Sequence, residues 1–282
     1  MKKWIAAFFA LPLSSLHAQT LVDSFDNIQF WVGTGQNRAA LVLQWNDGLN
    51  PVSVAWGYRW DGTATGIDML RAIAGHTSIE DPAGDPVGSG SGADERLALG
   101  LVQYSFGLSI LSIDYSPSGN PVRTQSDWFS GYWQYLIRGG SFEYYDWETG
   151  GTALYNVAGS VSYDAAAWTS APVGGGERPL IDGAWDAYSF APAFAVEAVQ
   201  QPVGASLPVP AASCVMHQGL PTVSASTKVG FYYQLEHSES PAGPWYAMGG
   251  SEPGTGGQLV FEDQTPELPL QRFYRIAVRQ AP

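Results

Sequence analysis

Apolar and polar residues alternate with a period of two over many short stretches of this chain. The first set is IQFWVG (28–33), AALVLQW (39–45), SVAWGYRW (53–60), LALGLVQYSFG (97–107), SILSIDY (109–115), GYWQYLIR (131–138), SFEYYDW (141–147) and WDAYSF (185–190). A second set follows after residue 213: KVGFYYQLEHS (228–238), PWYAMG (244–249), GQLVFED (257–263) and RFYRIAVR (272–279), separated by Gly- and Pro-rich turns. Period two sends successive side chains to opposite faces, so these stretches predict strands. Only one stretch carries the helical period. Thr65 is a good N-cap, and Asp68 three residues later completes a capping-box pattern. Ile67, Leu70, Ile73 and Ala74 then share a face, and Gly75 supplies a stop signal. The fold class expected is mainly β: a β-rich α+β N-terminal module with one short helix near 66–74, plus a small C-terminal β-sandwich.

The breaks between patterned stretches set the domain plan. NDG at Asn46–Gly48 reads as a tight turn. Residues 76–96, HTSIEDPAGDPVGSGSGADER, read as a long acidic, Gly-rich loop that is either functional or disordered. The stretch EAVQQPVGASLPVPAAS (197–213) is rich in Pro, Ala and Val and reads as a linker. It divides an aromatic-rich β module, 20–196, from a smaller β module, 214–282. Residues 1–18 read as a secretory signal: Lys2 and Lys3, the apolar run WIAAFFALPL, then LHA ending at Ala18. That run is too short to span a bilayer. The chain is therefore expected to be secreted, to the periplasm, the outer surface or beyond, with no membrane insertion after cleavage.

Composition sharpens this picture. Hydrophobic residues make up 45% of the chain and charged residues only 14%, with 33 Gly and 19 Pro, which suits a turn-rich extracellular β protein. Net charge is −13, and it becomes −15 when the two lysines of the signal are removed, because residues 1–18 hold no Asp or Glu. An acidic surface repels nucleic acid and anionic membranes, so neither is an expected partner. Cys214 is the only cysteine. An intrachain disulfide is thereby excluded, and a buried small hydrophobe is its expected role.

The aromatic rows are the strongest candidate chemistry. Trp56, Tyr58 and Trp60 point one way along their strand, while Ala55, Gly57 and Arg59 point the other. Trp133, Tyr135 and Ile137 share one face of a second strand. Such rows build either a core or a stacking platform for sugar rings, flat macrocycles or cations. Gly57 thins the opposite face and leaves room for a close approach. Indole N–H groups also need partners when buried, which favours partly wet rings. Arg59 and Arg138 could meet carboxylate or phosphate groups. The binding set expected is therefore Trp56, Tyr58, Arg59, Trp60, Trp133, Tyr135 and Arg138.

Other chemistries find less support. DGTATG (61–66) opens like a calcium loop, but Thr63, Thr65 and Ala72 occupy ligand positions, so it reads as a strand-to-helix turn. Glu80, Asp81, Asp85, Asp94 and Glu95 could hold a cation without any fixed geometry. No nucleophile elbow, zinc-protease, phosphate-loop or CxxC motif occurs. His76, His217 and His237 are scattered. The carboxylate pairs Asp146/Glu148 and Asp182/Asp186 lie close in sequence, as turn formers and solvated groups do. A non-catalytic protein without a cofactor or metal is expected.

Two blocks, FWVGTGQNRAALVLQWNDG and WGYRWDGTATGIDMLRAI, resemble an uncharacterised exported bacterial family found among sorting-signal proteins. The helix segment TATGIDMLRAIA, the strand GYWQYLI and the late LIDGAWDAYSF are distantly similar to the β-grasp-type module at the C-terminal end of transcobalamin-like proteins. That resemblance implies capture of cobalamin or another corrinoid. The chain departs from the pattern with inserts at 76–96 and 148–178 and with no second cobalamin-binding domain. It ends in VRQAP without an apolar anchor, so a sorting signal is not expected. YYQLEHSESPAGPW, GTGGQLVFED and QRFYRI resemble the small fibronectin- or immunoglobulin-like sandwich of exported bacterial proteins, which implies spacing, display or surface attachment. The function expected is capture of a bulky, flat-faced ligand, a corrinoid first, by an exported binding protein with small-molecule or cell-envelope partners. A glycan- or matrix-binding surface protein, or a purely structural envelope component, is the alternative.

Overall fold

In the computed structural model the patterned stretches are strands, and the described residues are 20–117, 122–126, 130–265, 269 and 271–280. The segment read as a signal, 1–18, lies outside them. Strands account for 55% of the chain and helix for 4%, so the protein is mainly β. The chain divides into two units, with the boundary between Ser206 and Leu207.

The first unit runs through β1 (Trp31–Gly33), β2 (Asn37–Gln44), β3 (Ser53–Trp60), α1 (Gly66–Ile73), β4 (Ala74–Glu80), β5 (Pro86–Gly90), β6 (Asp94–Tyr104) and β7 (Gly107–Tyr115). It continues through β8 (Arg123–Ser126), β9 (Gly131–Arg138), β10 (Gly140–Asp146), β11 (Gly151–Val157), β12 (Thr169–Ser170), β13 (Ala184–Pro192) and β14 (Val203–Gly204). The larger sheet has the order β1-β3-β2-β13-β9-β12, with β14 also on β3. β2 and β13, both largely buried, run parallel side by side at its centre. β14 pairs the first half of β3 and β1 the second half, which leaves β3 no open edge. A second sheet has the order β5-β4-β6-β7-β8.

Each face of the larger sheet is covered, as the nearly unbroken apolar runs of β2 and β13 require. On one face, Ala40, Val42, Ala55 and Trp185 pack against Val22, Phe25 and Ile28 from the N-terminal segment. Trp31 lies directly over Gly57: a Cβ there would come within 2.3 Å of the indole ring. The thin spot at Gly57 is thus filled by the protein itself. On the other face the second sheet supplies hydrogen-bond acceptors to the buried indoles. Trp45 Nε1 donates to the Ile113 carbonyl at 3.0 Å, and Trp56 Nε1 donates to Asp94 Oδ2 at 2.9 Å.

The helix forms where the capping pattern places it. Thr65 Oγ1 accepts from the Asp68 backbone, and the Asp68 side chain accepts from Thr65 in return. Its end differs from expectation. Ala74 is already extended, so the helix passes straight into β4 without a left-handed glycine cap. Gly75 serves a close approach instead, since a Cβ would lie 2.4 Å from the Glu95 Cα. The stretch expected to be a loop, 76–96, is the β4–β5 hairpin and the start of β6. Its turn is tied by Asp81, whose Oδ1 accepts from the backbone of Ala83 and Asp85. The stretch read as a linker is also partly built in. Val199, Val203 and Ala205 are buried, and the Gln44 side chain bonds both Ala198 and Gln200.

The second unit holds two three-stranded antiparallel sheets. β15 (Ala212–His217), β16 (Leu220–Ser226) and β19 (Gln258–Glu262) form one. β17 (Phe231–Ser238), β18 (Tyr246–Pro253) and β20 (Phe273–Gln280) form the other. Among its described residues, Val223, Ala225, Phe231, Tyr233 and Leu235 are the buried hydrophobic side chains. Cys214 is only half-buried, short of the sealed position expected. Among the described residues of the whole chain, no helix is long and apolar enough to cross a membrane.

Candidate functional site

The seven residues singled out from sequence do not form one site. Trp56 is 0% exposed and Trp60 5%, so both are core. The expectation that their indoles stay wet fails, and for Trp56 the reason is specific: the second sheet brings partners to it. Trp56 donates to Asp94, which is itself buried and clamped by Arg96 at 2.8 Å. Tyr115 packs edge-on to Trp56, and Tyr58 stacks on Trp60 at 5.6 Å. Arg59 lies on the opposite face, over the Trp31 ring at 5.3 Å. Arg138 also faces that side, where it donates to the Ser162 carbonyl at 2.7 Å. Neither arginine is placed beside the aromatic rows.

Trp133 and Tyr135 behave differently. They sit on β9, three strands from β3 in the same sheet, or about 14 Å away at the usual strand spacing. Both are partly exposed and border a hollow of about 160 Å³. Leu108–Leu111 of β7 form one wall, and Val173–Gly175 with Ile67 of α1 form the other. Tyr188, directly opposite Tyr135 on β13, completes the floor, and the two rings stack at 4.6 Å. Trp133 is fixed by edge contacts to Trp45 and Phe190, and its Nε1 donates to the Gln125 carbonyl at 3.2 Å.

Behind this floor lies a buried polar cluster. The Tyr135 hydroxyl donates to Asp186 Oδ2 at 2.5 Å, and Arg178 pairs with Asp186 Oδ1 at 3.3 Å. Arg178 and Asp186 are both sealed from solvent, and Arg178 also donates to the Gly139 carbonyl. Burial pushes the Asp186 carboxyl above the usual carboxylate range, against the pull of Arg178 and Tyr135. Burial likewise raises the Tyr135 hydroxyl well above its ordinary value, with the Asp186 charge adding to it. Tyr188 is raised for the same first reason. Its hydroxyl is close enough to Tyr135 to be influenced by it, yet no hydrogen bond of normal geometry joins them. Gly66, at the first turn of α1, is demanded by the cluster: a Cβ there would lie 2.2 Å from the Tyr135 hydroxyl.

Sequence reasoning missed Tyr188, Arg178 and Gly175. Tyr188 shares the alternation Asp186–Tyr188–Phe190 in a strand that was read, so its signal was present. Arg178 and Gly175 come from a loop whose register nothing in the sequence sets. Of the carboxylates considered, Asp182 accepts from the Arg38 backbone while Asp186 is buried with Arg178, so the two do not converge. Among the described residues, no group of three His, Cys, Asp or Glu side chains could hold a metal ion. The arrangement offers stacking faces around a small hollow that no charged side chain among the described residues borders. No family model, curated protein or solved structure matches this chain.

Proposed function

We propose that this is an exported, non-catalytic binding protein whose first unit receives a flat-faced ligand in the hollow between β7 and β9. The observation that carries this reading is the pairing of a partly exposed Trp133 with the stacked Tyr135–Tyr188 floor around one concavity. Aromatic faces left half-open beside a hollow suit a ring that stacks. The volume narrows the ligand. Sites for drug-sized molecules run to roughly 300–1,000 Å³, and this hollow is about 160 Å³. A single ring fits that space better than a whole corrin, which would have to lie across the surface. The sealing of Trp56 and Trp60 favours the scaffold reading for β3, but not for β9.

Calorimetry and tryptophan quenching with cobalamin, cobinamide and single-ring ligands test the proposal. Binding that is lost in Trp133→Ala and kept in Arg59→Ala supports it. No heat and no quenching with any of them would hand the whole unit to the scaffold reading.

A further inference from the structure

The outer strands of the first unit's sheets are short, with one exception. The larger sheet ends in β1, β14 and β12, which hold three, two and two residues. The second sheet ends in β5, which begins at Pro86, and in the four-residue β8. Short strands, proline and charge are the usual devices that keep a sheet edge from pairing with another chain. The β10–β11 ribbon lacks them along one side. Both of its strands are seven residues long and in unbroken antiparallel register, and among the described residues no third strand pairs with either. β10 carries Glu143 and Asp146, whereas β11, GTALYNV, has no charged residue and no proline.

This edge is already ordered. At the base of the ribbon Phe142 and Tyr155 stack at 5.2 Å, and Arg178 lies over the Phe142 ring at 5.5 Å. A strand added to a preformed edge does not have to order it first. Farther out, Thr152, Leu154 and Asn156 share an exposed face, and Leu154 is 61% exposed. Cover over that leucine would remove apolar surface from water.

The order of residues in β11 says what fits beside it. Set antiparallel to a second copy about Leu154, the strand is self-complementary. Leu154 faces its own counterpart, Ala153 faces Tyr155, Thr152 faces Asn156 and Gly151 faces Val157. Apolar meets apolar, small meets large and polar meets polar, and no like charges oppose. A chain of net charge −13 repels its own copies, and this edge carries none of that charge. The arrangement is two-fold, with the same surface used by each copy. We infer that two copies of this chain associate edge to edge through β11, making one four-stranded antiparallel sheet from two ribbons. An interface this small gives a reversible dimer, with a Kd on the order of tens of micromolar.

Sedimentation of the full chain over roughly 1–500 µM is expected to show a monomer–dimer equilibrium. Leu154→Lys sets two like charges face to face on the two-fold axis. It is expected to weaken the dimer at least about tenfold, even though it makes the chain less acidic. Its Tm at low concentration should match wild type, because Leu154 is largely exposed. Leu154→Glu should weaken the dimer as well, and mixing the two variants should restore it, since the facing charges are then opposite. Only a contact of residue 154 with its own counterpart can be rescued in this way. Val87→Lys, at an exposed position of β5, adds the same charge elsewhere and should leave the dimer intact. A wild-type chain that stays monomeric over the whole range would overturn the inference. So would a dimer that survives Leu154→Lys, or one lost equally in Val87→Lys.

Discussion

Two strands of one sheet carry similar aromatic rows, and each row ends on a buried aspartate–arginine pair. On β3, Trp56 donates to Asp94, which is held by Arg96. On β9, Tyr135 donates to Asp186, which is held by Arg178. Trp56 and Trp60 of the first row are sealed, whereas the second row borders a hollow. The difference lies in what covers them. Tyr115 and Asp94 from the second sheet close over Trp56. Over β9 the cover is the start of β7 and the Val173–Gly175 turn, and these leave space. Alternation therefore reports which way a ring points, while the opposing layer decides whether it is core.

The sharpest way to break this comparison is truncation. Trp56→Ala is expected to destabilise the first unit by about 4 kcal/mol, through the cavity it leaves and the lost donor to a buried carboxylate. Trp133→Ala should remove about half of that, because part of the ring already faces the hollow. Chemical denaturation gives both values. Equal losses would mean that the β9 row is as deeply structural as the β3 row.

The two ion pairs differ as well. Arg96 grips Asp94 through Nε and Nη2 at 2.8 and 2.9 Å, whereas Arg178 reaches Asp186 through one bond at 3.3 Å. Removing one partner from a buried pair strands the other, so Arg178→Met is expected to destabilise by about 3 kcal/mol. The pH dependence has a defined sign. The Asp186 carboxyl is raised in the folded state, so its contribution is fully present below the unfolded value near 3.8. That contribution is lost as pH rises through the folded value. Asp186→Asn should therefore flatten the decline in stability across that window, measured by urea unfolding from pH 3 upward. A steeper decline in the variant would reverse the assignment.

Glycine marks the covered side of the first row. Gly57→Ala puts a methyl group into the Trp31 ring. It is expected to destabilise by about 2 kcal/mol as the indole is displaced. The same experiment at an open glycine, Gly48, where a Cβ would meet nothing within 4 Å, tests conformation alone, because its φ is +78°.

Much of this architecture was legible in the sequence. The alternating strands and the Thr65–Asp68 cap could be read because one-dimensional pattern and local hydrogen bonding decide them. β5 was not legible, since all five of its residues are exposed and it owes its pairing to β4 rather than to burial. Half of the stretch read as a linker was misjudged because Val199 and Val203 are buried against strands distant in sequence. At the hollow, Trp133 and Tyr135 were visible by residue type. Arg178, Gly175 and Gly66 were not, because their roles are distances of a few ångströms between a loop or helix end and a separate strand, which no one-dimensional pattern encodes.

A third aromatic region calibrates the other two. β10 and β11 form a two-stranded ribbon by themselves, and Trp147 at its turn is 86% exposed. Its main aromatic contact is Tyr145, edge-on at 4.7 Å. A ring with so little covered surface has little burial energy to lose. Trp147→Ser is thus expected to change stability by less than about 0.5 kcal/mol, while removing the most water-exposed indole among the described residues from the tryptophan emission. It also removes background from the quenching titrations, since any signal that survives must come from the other indoles. A loss above about 1 kcal/mol would show that the ribbon depends on this ring. Exposure would then be a poor guide to which aromatic residues of this chain are structural, for β9 as much as for β10.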